Sequence, residues 1–316
     1  MKRLLLAVSM LAACAANSGR QCQVGADCAS GVCQSNGQCL PVSDAGDPDS
    51  GDRDAGIDGG DPTDGAVADV GQDAMASDDG GTTTCSPNRD GVIERDEVPL
   101  RAGLRATFLG ATDVSFDTRG EMIDGVRTWD LSTSFAGDRM ILVETRNPAG
   151  LWFADDFSGA TYVTELSLEE DLLGVFEVTD EQLQLRGVVS PDEGFTRTNL
   201  DYDPIINVLD FPLSEEKIWT TDANVSGLAL GVITAYSEDY QSEVDAVGTV
   251  ITPFGTFESA LRVRTELVRT VGLLQTTIVS FAFVSECFGT IATLTGEDND
   301  DGAELTELAE VRRLAP

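Results

Sequence analysis

The oxygen-bearing residues between positions 86 and 97 fall at a spacing that could wrap a hard cation. The run reads Ser86-Pro-Asn88-Arg-Asp90-Gly-Val92-Ile-Glu94-Arg-Asp-Glu97. Calcium takes six to eight oxygens from carboxylates, amides, hydroxyls and backbone carbonyls. Ser86, Asn88, Asp90, Glu94 and Glu97 offer side-chain oxygens, Val92 offers its carbonyl, and Gly91 stands at the sharp turn. The other chemistry is that of sulfur, in seven cysteines: Cys14, Cys22, Cys28, Cys33, Cys39, Cys85 and Cys287. Histidine is absent, which removes Ser-His-Asp and Cys-His nucleophile activation together with every histidine-based zinc or iron site. No glycine-rich phosphate loop is present. Hydrolysis by a carboxylate pair is the catalysis that remains, with Asp155-Asp156, Glu169-Glu170-Asp171, Asp201, Asp203 and Glu215-Glu216 as candidates. Trp152, Trp219, Tyr236 and Tyr240 could line a glycan or lipid cleft beside them. Acidic residues are so common here that solvated faces and turns account for such pairs, and the expectation is a non-catalytic protein.

From Asn88 onward the run resembles the twelve-residue EF-hand or dockerin-like calcium loop, with Asn88 and Asp90 at its third and fifth positions and Glu97 at its closing carboxylate. The resemblance implies a calcium site. Two departures weaken it. Ser86 stands where a charged ligand belongs, and Pro99 stops any exiting helix after about one turn. The expected cofactor is therefore calcium, bound in the millimolar-like range of extracellular modules. The alternative is an Asn-x-Asp-Gly turn that opens a β domain.

At the amino terminus, Lys2 and Arg3 precede an apolar stretch from Leu4 to Ala13 that ends in Leu11-Ala12-Ala13-Cys14. Ten or so apolar residues cover about half of a bilayer core, so residues 1–13 read as a signal peptide. Leu-Ala-Ala-Cys resembles the lipobox of bacterial lipoproteins. That resemblance implies that Cys14 carries a lipid and becomes the first residue. Ala15 rather than Asp after it implies the outer membrane over the inner one. Ordinary secretion after Ala-Cys-Ala is the alternative, and cysteine parity argues against it: with Cys14 lipidated, six thiols remain to pair in an oxidising compartment. The formal charge is −35, and loss of Lys2 and Arg3 leaves 18 basic against 55 acidic residues, or −37. So acidic a chain repels nucleic acid and anionic headgroups.

Residues 14–41 form the lipidated cysteine and a small module held by Cys22, Cys28, Cys33 and Cys39, too poor in apolar residues to build a core. Four cysteines permit three connectivities; Cys22–Cys33 with Cys28–Cys39 is the working assignment. Asp-Cys-x-Ser-Gly-x-Cys resembles the short Cys-rich repeats of bacterial surface lipoproteins, themselves distantly similar to dickkopf-type and EB-type modules. A zinc site is the rival, disfavoured by the spacing and the compartment. Residues 42–84 carry twelve Asp residues, one Arg and no aromatic residue, the composition of a disordered spacer. Its Asp-x-Asp runs (Asp47, Asp49, Asp52, Asp54) lack the period of a calcium-binding thrombospondin-type repeat.

Residues 85–316, beginning with the calcium-like stretch 85–99, are long enough for one large domain. Leu261, Val263, Thr265 and Leu267 alternate with Arg262, Arg264 and Glu266 across the faces of a strand. Thr277–Phe283 is apolar on both faces, as a covered central strand is. Pro253 and Gly255 supply a corner between two strands, and the acidic turn after Thr295 reads as a hairpin. The fold class is all-β: a large, mostly antiparallel sandwich or curved half-barrel. The block Phe211–Arg264, with Lys217-Ile-Trp219 and Val247-Gly-Thr-Val-Ile-Thr-Pro-Phe-Gly-Thr-Phe257, resembles uncharacterised β-rich bacterial envelope lipoproteins. Cys85 and Cys287 remain to join to each other. The expectation is a membrane-tethered envelope lipoprotein whose β domain binds or scaffolds. Its partners would be the membrane through the lipid and an envelope protein, a glycan or an apolar ligand, and not nucleic acid. A carboxylate-pair glycan hydrolase is the alternative.

Overall fold

The computed structural model describes residues 85–316, and the expectations for Cys14, the cysteines at 22–39 and the spacer 42–84 lie outside the described residues. Sixteen strands and one 3-10 turn (Arg95–Glu97) make up the regular structure. The strands are β1 (Val92–Ile93), β2 (Arg105–Ser115), β3 (Glu121–Ile123), β4 (Val126–Asp130), β5 (Arg139–Glu144), β6 (Tyr162–Glu165), β7 (Leu173–Val178) and β8 (Gln182–Val189). They continue with β9 (Asn199–Asp210), β10 (Leu213–Ser214), β11 (Ile218–Ala229), β12 (Val232–Ile251), β13 (Thr256–Val271), β14 (Leu274–Ser285), β15 (Gly289–Gly296) and β16 (Glu307–Leu314). Among the described residues no helix is long and apolar enough to cross a membrane.

Twelve strands follow one another in the order β5-β2-β16-β15-β14-β13-β12-β11-β9-β8-β7-β6, every pair antiparallel. The two ends of this path meet: Arg146 and Val163 exchange backbone hydrogen bonds of 2.8 and 2.9 Å beside β5 and β6, so the sheet closes almost into a barrel. Closure satisfies the edge groups that an open sheet would expose. The hairpin β3–β4 lies off this path, with β4 parallel to the end of β12. The expected all-β, mostly antiparallel architecture is thus present in its curved form.

Period-2 alternation builds the core. Along β11 the pattern is strictly exposed then buried from Ile218 to Val225, which sends Trp219, Thr221, Ala223 and Val225 to one face. These meet Leu183, Leu185, Tyr202, Val244, Leu261 and Val263 in an inner cluster drawn from β6–β9 and β11–β14. The second cluster lies on the opposite face of β12–β16. There Phe281, Phe283, Leu294 and Val311 pack under Trp129 of β4 and under Leu305. A third, around Phe153 and Phe157, covers β6–β8. β14 is therefore covered on both sides, as its sequence requires.

On the polar face of β13, Arg262 is buried rather than solvated. Arg262 is 2% exposed and lies 4.7 Å from the Phe281 ring centroid and 5.4 Å from that of Trp129. Its five N–H groups each find an acceptor. Nε and Nη2 donate to the two oxygens of Asp245 at 2.8 and 2.7 Å, Nη1 and Nη2 donate to Glu304 at 3.0 and 2.9 Å, and Nη1 also reaches the Thr118 carbonyl. Asp245 is the extra residue of a bulge between Val244 and Ala246, which turns its carboxylate toward the arginine. Burial would raise Glu304, but hydrogen bonds from Arg262 and Thr118 and the charges of Arg262 and Arg127 hold it below its ordinary value.

Removing one partner of such a pair leaves an uncompensated buried charge, worth about 3–5 kcal/mol. Arg262→Met is expected to lose roughly that much stability at pH 7, measured by urea unfolding. Because the folded carboxylate of Glu304 ionises more readily than the unfolded one, its contribution is present above the ordinary carboxylate range and lost as pH falls through the lowered folded value. The parent's stability should therefore decline on acidification, and Glu304→Gln should flatten that decline.

Candidate functional site

Of the residues singled out for cation chemistry, Asn88 and Glu97 touch, and the disulfide sets the position of their segment. Cys85 and Cys287 are bonded, with Cα atoms 5.5 Å apart across a sequence separation of 202. Cys287 sits in the turn between β14 and β15 rather than within the strand, in the left-handed region at φ 68°, and its N–H donates to the Glu97 carbonyl at 2.7 Å. Two further contacts secure the segment. The Arg89 N–H donates to both carboxylate oxygens of Glu286 at 3.1 and 3.3 Å, and the Arg89 guanidinium pairs with Glu258 at 2.8 Å.

Within the loop, Asn88 Oδ1 accepts from the Asp90 N–H at 2.9 Å and Asp90 Oδ1 from the Val92 N–H at 2.8 Å. These are successive Asx turns. Gly91 at φ +86° supplies the reversal between them. β1 then pairs with β10, and Ile93 is buried to 1% exposure. The 3-10 turn brings Glu97 back onto Asn88. Asn88 thus meets both Glu97 and the Asp90 backbone, while the Asp90 carboxylate turns to the Val92 N–H, Ser86 and Glu94 stay exposed and Val92 is half-buried.

What occupies the Glu97 oxygens bears on calcium. Oε1 accepts from the Asn88 amide Nδ2 at 2.9 Å and Oε2 from the Glu94 N–H at 2.8 Å. A cation needs oxygens where Asn88 presents an amide N–H, so binding would require that amide to turn over and Glu97 to release both donors. Among the described residues, no three histidine, cysteine, aspartate or glutamate side chains are gathered so as to hold a metal.

Beside the loop lies a cleft of about 170 Å³ whose floor is aromatic and whose rim is charged. Phe257 is buried, with the half-exposed Phe254 and Phe288 at centroid distances of 6.3 and 5.0 Å, and Arg89, Glu258 and Glu286 stand around them. Sequence reasoning did not single out these residues. The Pro253–Gly255 corner brings Phe254 and Phe257 in, and the disulfide turn brings Phe288. The arrangement can hold a small amphiphilic group; it contains no nucleophile paired with a base.

The carboxylate and aromatic candidates mostly disperse. Trp219 is buried, its indole N–H donating to the Asn207 carbonyl at 3.0 Å, and Trp152 donates to the Ser190 carbonyl at 3.1 Å. Tyr240 donates to Glu238 at 2.6 Å, and the Arg269 Nε donates to the same carboxylate at 2.7 Å, on the inner side of the sheet. Burial pushes the phenols of Tyr202, Tyr236 and Tyr240 up, with the charge of Glu238 adding to the effect. One carboxylate pair does meet. Partial burial and the neighbouring Asp156 raise Asp201, with Arg186 opposing, and Asn199 donates to Asp156 at 2.8 Å. Both carboxylates are exposed and neither lines a cavity described here.

No family model and no curated protein matches this chain. Among solved structures it is similar to a Bacteroides fragilis protein described as having a YmcC-like fold, at 11% identity and a TM-score of 0.28, covering 69% of this chain and 96% of that one.

The disulfide closes a loop of some 200 residues, for which chain entropy gives stabilisation on the order of 5 kcal/mol. Cys85→Ala with Cys287→Ala is expected to cost about 2–5 kcal/mol in a non-reducing melt. Hydrogen exchange at Val92 and Ile93 should speed up more than at the centre of β14, because the bond holds the loop against that strand's end.

Proposed function

We propose that this chain is an exported bacterial lipoprotein, held at the outer membrane through Cys14, whose β domain binds or scaffolds rather than catalyses. The Cys85–Cys287 bond is the observation that carries the reading. A disulfide joining residues 202 positions apart in the domain suits an oxidising compartment, and with Cys14 taken by lipid the remaining thiols are even in number. Binding is favoured over hydrolysis because the buried Glu238 and the partly buried Asp245 and Glu304 are committed to arginines, while the Asp156–Asp201 pair lies open to solvent. The aromatic cleft beside Arg89 is the place for a glycan, an apolar group or an envelope protein segment.

The anchor is tested by fractionation. The parent is expected to require detergent for release from membranes. Cys14→Ser is expected to come off in an alkaline carbonate wash or to remain in the soluble fraction. Continued dependence on detergent would remove Cys14 from the reading.

Calcium is a separate part of the proposal, supported by the Asn88–Glu97 contact and the successive Asx turns of Asn88 and Asp90 about Gly91. Calorimetric titration with millimolar calcium should release or absorb heat that Glu97→Gln abolishes. An absence of heat in the parent would leave the loop as a turn closed by its own hydrogen bonds.

A further inference from the structure

One pole of the barrel is built from hairpin tips that carry large apolar side chains into solvent. Between β11 and β12, Leu230 and Ile233 are 74% and 86% exposed. Between β13 and β14, Leu273 and Leu274 are 102% and 77% exposed. Phe195, in the loop between β8 and β9, is 101% exposed.

Pairing places these tips at one end. Ser237 stands opposite Thr270, and Val271 opposite Leu274, so the β11–β12 hairpin projects about four residues, roughly 13 Å, past its neighbour. The Phe195 loop runs alongside it: the Gly231 N–H donates to the Arg197 carbonyl at 2.9 Å, and Leu230 N–H to Thr198 Oγ1 at 3.2 Å. Gly231 is at φ +77°, where any side chain would run into the Phe195 carbonyl, so the approach is close.

Two observations identify the occupant. The first is charge. Residues 223–237 and 270–285, which form the two projecting hairpin tips, contain no charged side chain in a chain that is 24% charged, although the loop that carries Phe195 also holds Asp192, Glu193 and Arg197. That suits a neutral, apolar medium and disfavours an ionic partner. The second is where the rest of the chain enters. Cys85 is bonded beside the far end of β14, a twelve-residue strand away, or about 40 Å. The described domain therefore begins near the opposite pole, and no described segment buries these tips. Staggered fingers offer single side chains rather than one face, and a fluid hydrocarbon surface accepts them with no match of shape.

We propose that this pole inserts its apolar tips, around Phe195, Leu230, Ile233, Leu273 and Leu274, into the surface of a lipid bilayer. The contact is peripheral and independent of any lipid on Cys14. The strongly acidic chain makes it weaker on anionic than on neutral surfaces.

The test is flotation of the full chain carrying Cys14→Ser with phosphatidylcholine vesicles, so that no covalent lipid contributes. The Cys14→Ser protein is expected to float, and less well when phosphatidylglycerol is added. Adding Ile233→Asp, Leu273→Asp and Leu274→Asp should reduce the bound fraction at least tenfold without moving the melting temperature. If that variant does not fold, Leu273→Ser alone, at a fully exposed turn position, should lower binding severalfold. Failure of the Cys14→Ser protein to float on neutral vesicles would overturn the proposal, as would equal flotation of folded tip variants. A dimer of the Cys14→Ser protein that the tip substitutions convert to monomer, with no flotation of either, would assign the pole to a second copy instead.

Discussion

A buried guanidinium organises this barrel. Taking Arg262 out of water is costly unless every donor is met and the charge is balanced, and both conditions hold here. The acceptors come from three separate parts of the chain: the β12 bulge at Asp245, the β15–β16 turn at Glu304 and the segment after β2 at Thr118, whose carbonyl also accepts from the indole of Trp129 at 2.8 Å. The Thr118 and Glu304 segments would otherwise be loops lying over an apolar sheet face. Arg313 repeats the device one strand from β2. It is 0% exposed, stacks 4.3 Å from the Phe135 ring, and binds Asp138 together with the carbonyls of Leu131 and Thr133. A face that a period-2 reading gives to solvent is thereby converted into a second, roofed core.

That conversion marks the limit of what the sequence discloses. The alternation in 259–267 places Arg262 opposite Leu261 and Val263 correctly, because side-chain direction follows from strand period alone. Whether the arginine's face meets water depends on Asp245 and Glu304, 17 and 42 residues away, and on a bulge that no local pattern announces. The Cys85–Cys287 link was legible by counting thiols, since parity is a property of composition and needs no geometry. The convergence of Asn88 with Glu97 was legible from spacing, but the hydrogen bonds that fill Glu97 were not, because an amide that donates and one that accepts are the same letter. The cleft of Phe254, Phe257 and Phe288 was invisible for a simpler reason: its residues belong to two turns joined only by tertiary contact.

Inside the sheet the two halves differ in a way that fits the net charge. The inner faces of β6–β9 and β11–β13 contribute most of the apolar cluster. Across from them, Glu310 on β16 accepts from the Leu168 N–H at 2.8 Å and from Arg312 at 2.6 Å, while the Gly110 Cα faces Leu168 so closely that a Cβ would strike its methyl groups. The β6–β7 loop therefore docks on a polar stretch of sheet, and Gly110 is small because that loop passes there. An acidic chain can keep such carboxylates near one another only where an arginine or backbone donors stand between them. Arg186 with Glu177, Arg269 with Glu238 and Arg312 with Glu310 follow the same rule.

The poles of the barrel are held to different standards. At one, the amino-terminal loop is fixed by a disulfide, a backbone bond to Glu97 and the Arg89–Glu286 contact, and its Ile93 and Val98 join the inner core. At the other, strands simply turn, through Leu230-Gly231 and Gly272-Leu273, so that each two-residue turn pairs its glycine with a leucine rather than with the asparagine or aspartate that suits exposed hairpins. Leu230 adopts φ 51° at such a turn, a conformation costly for a branched aliphatic residue and easy for asparagine. Folding alone gives no reason to keep leucine there, since its side chain gains no burial within the domain. A contact outside the domain supplies the reason. The strain at Leu230 and its exposure thus point the same way as the missing charges, toward a surface into which the tip is meant to be buried.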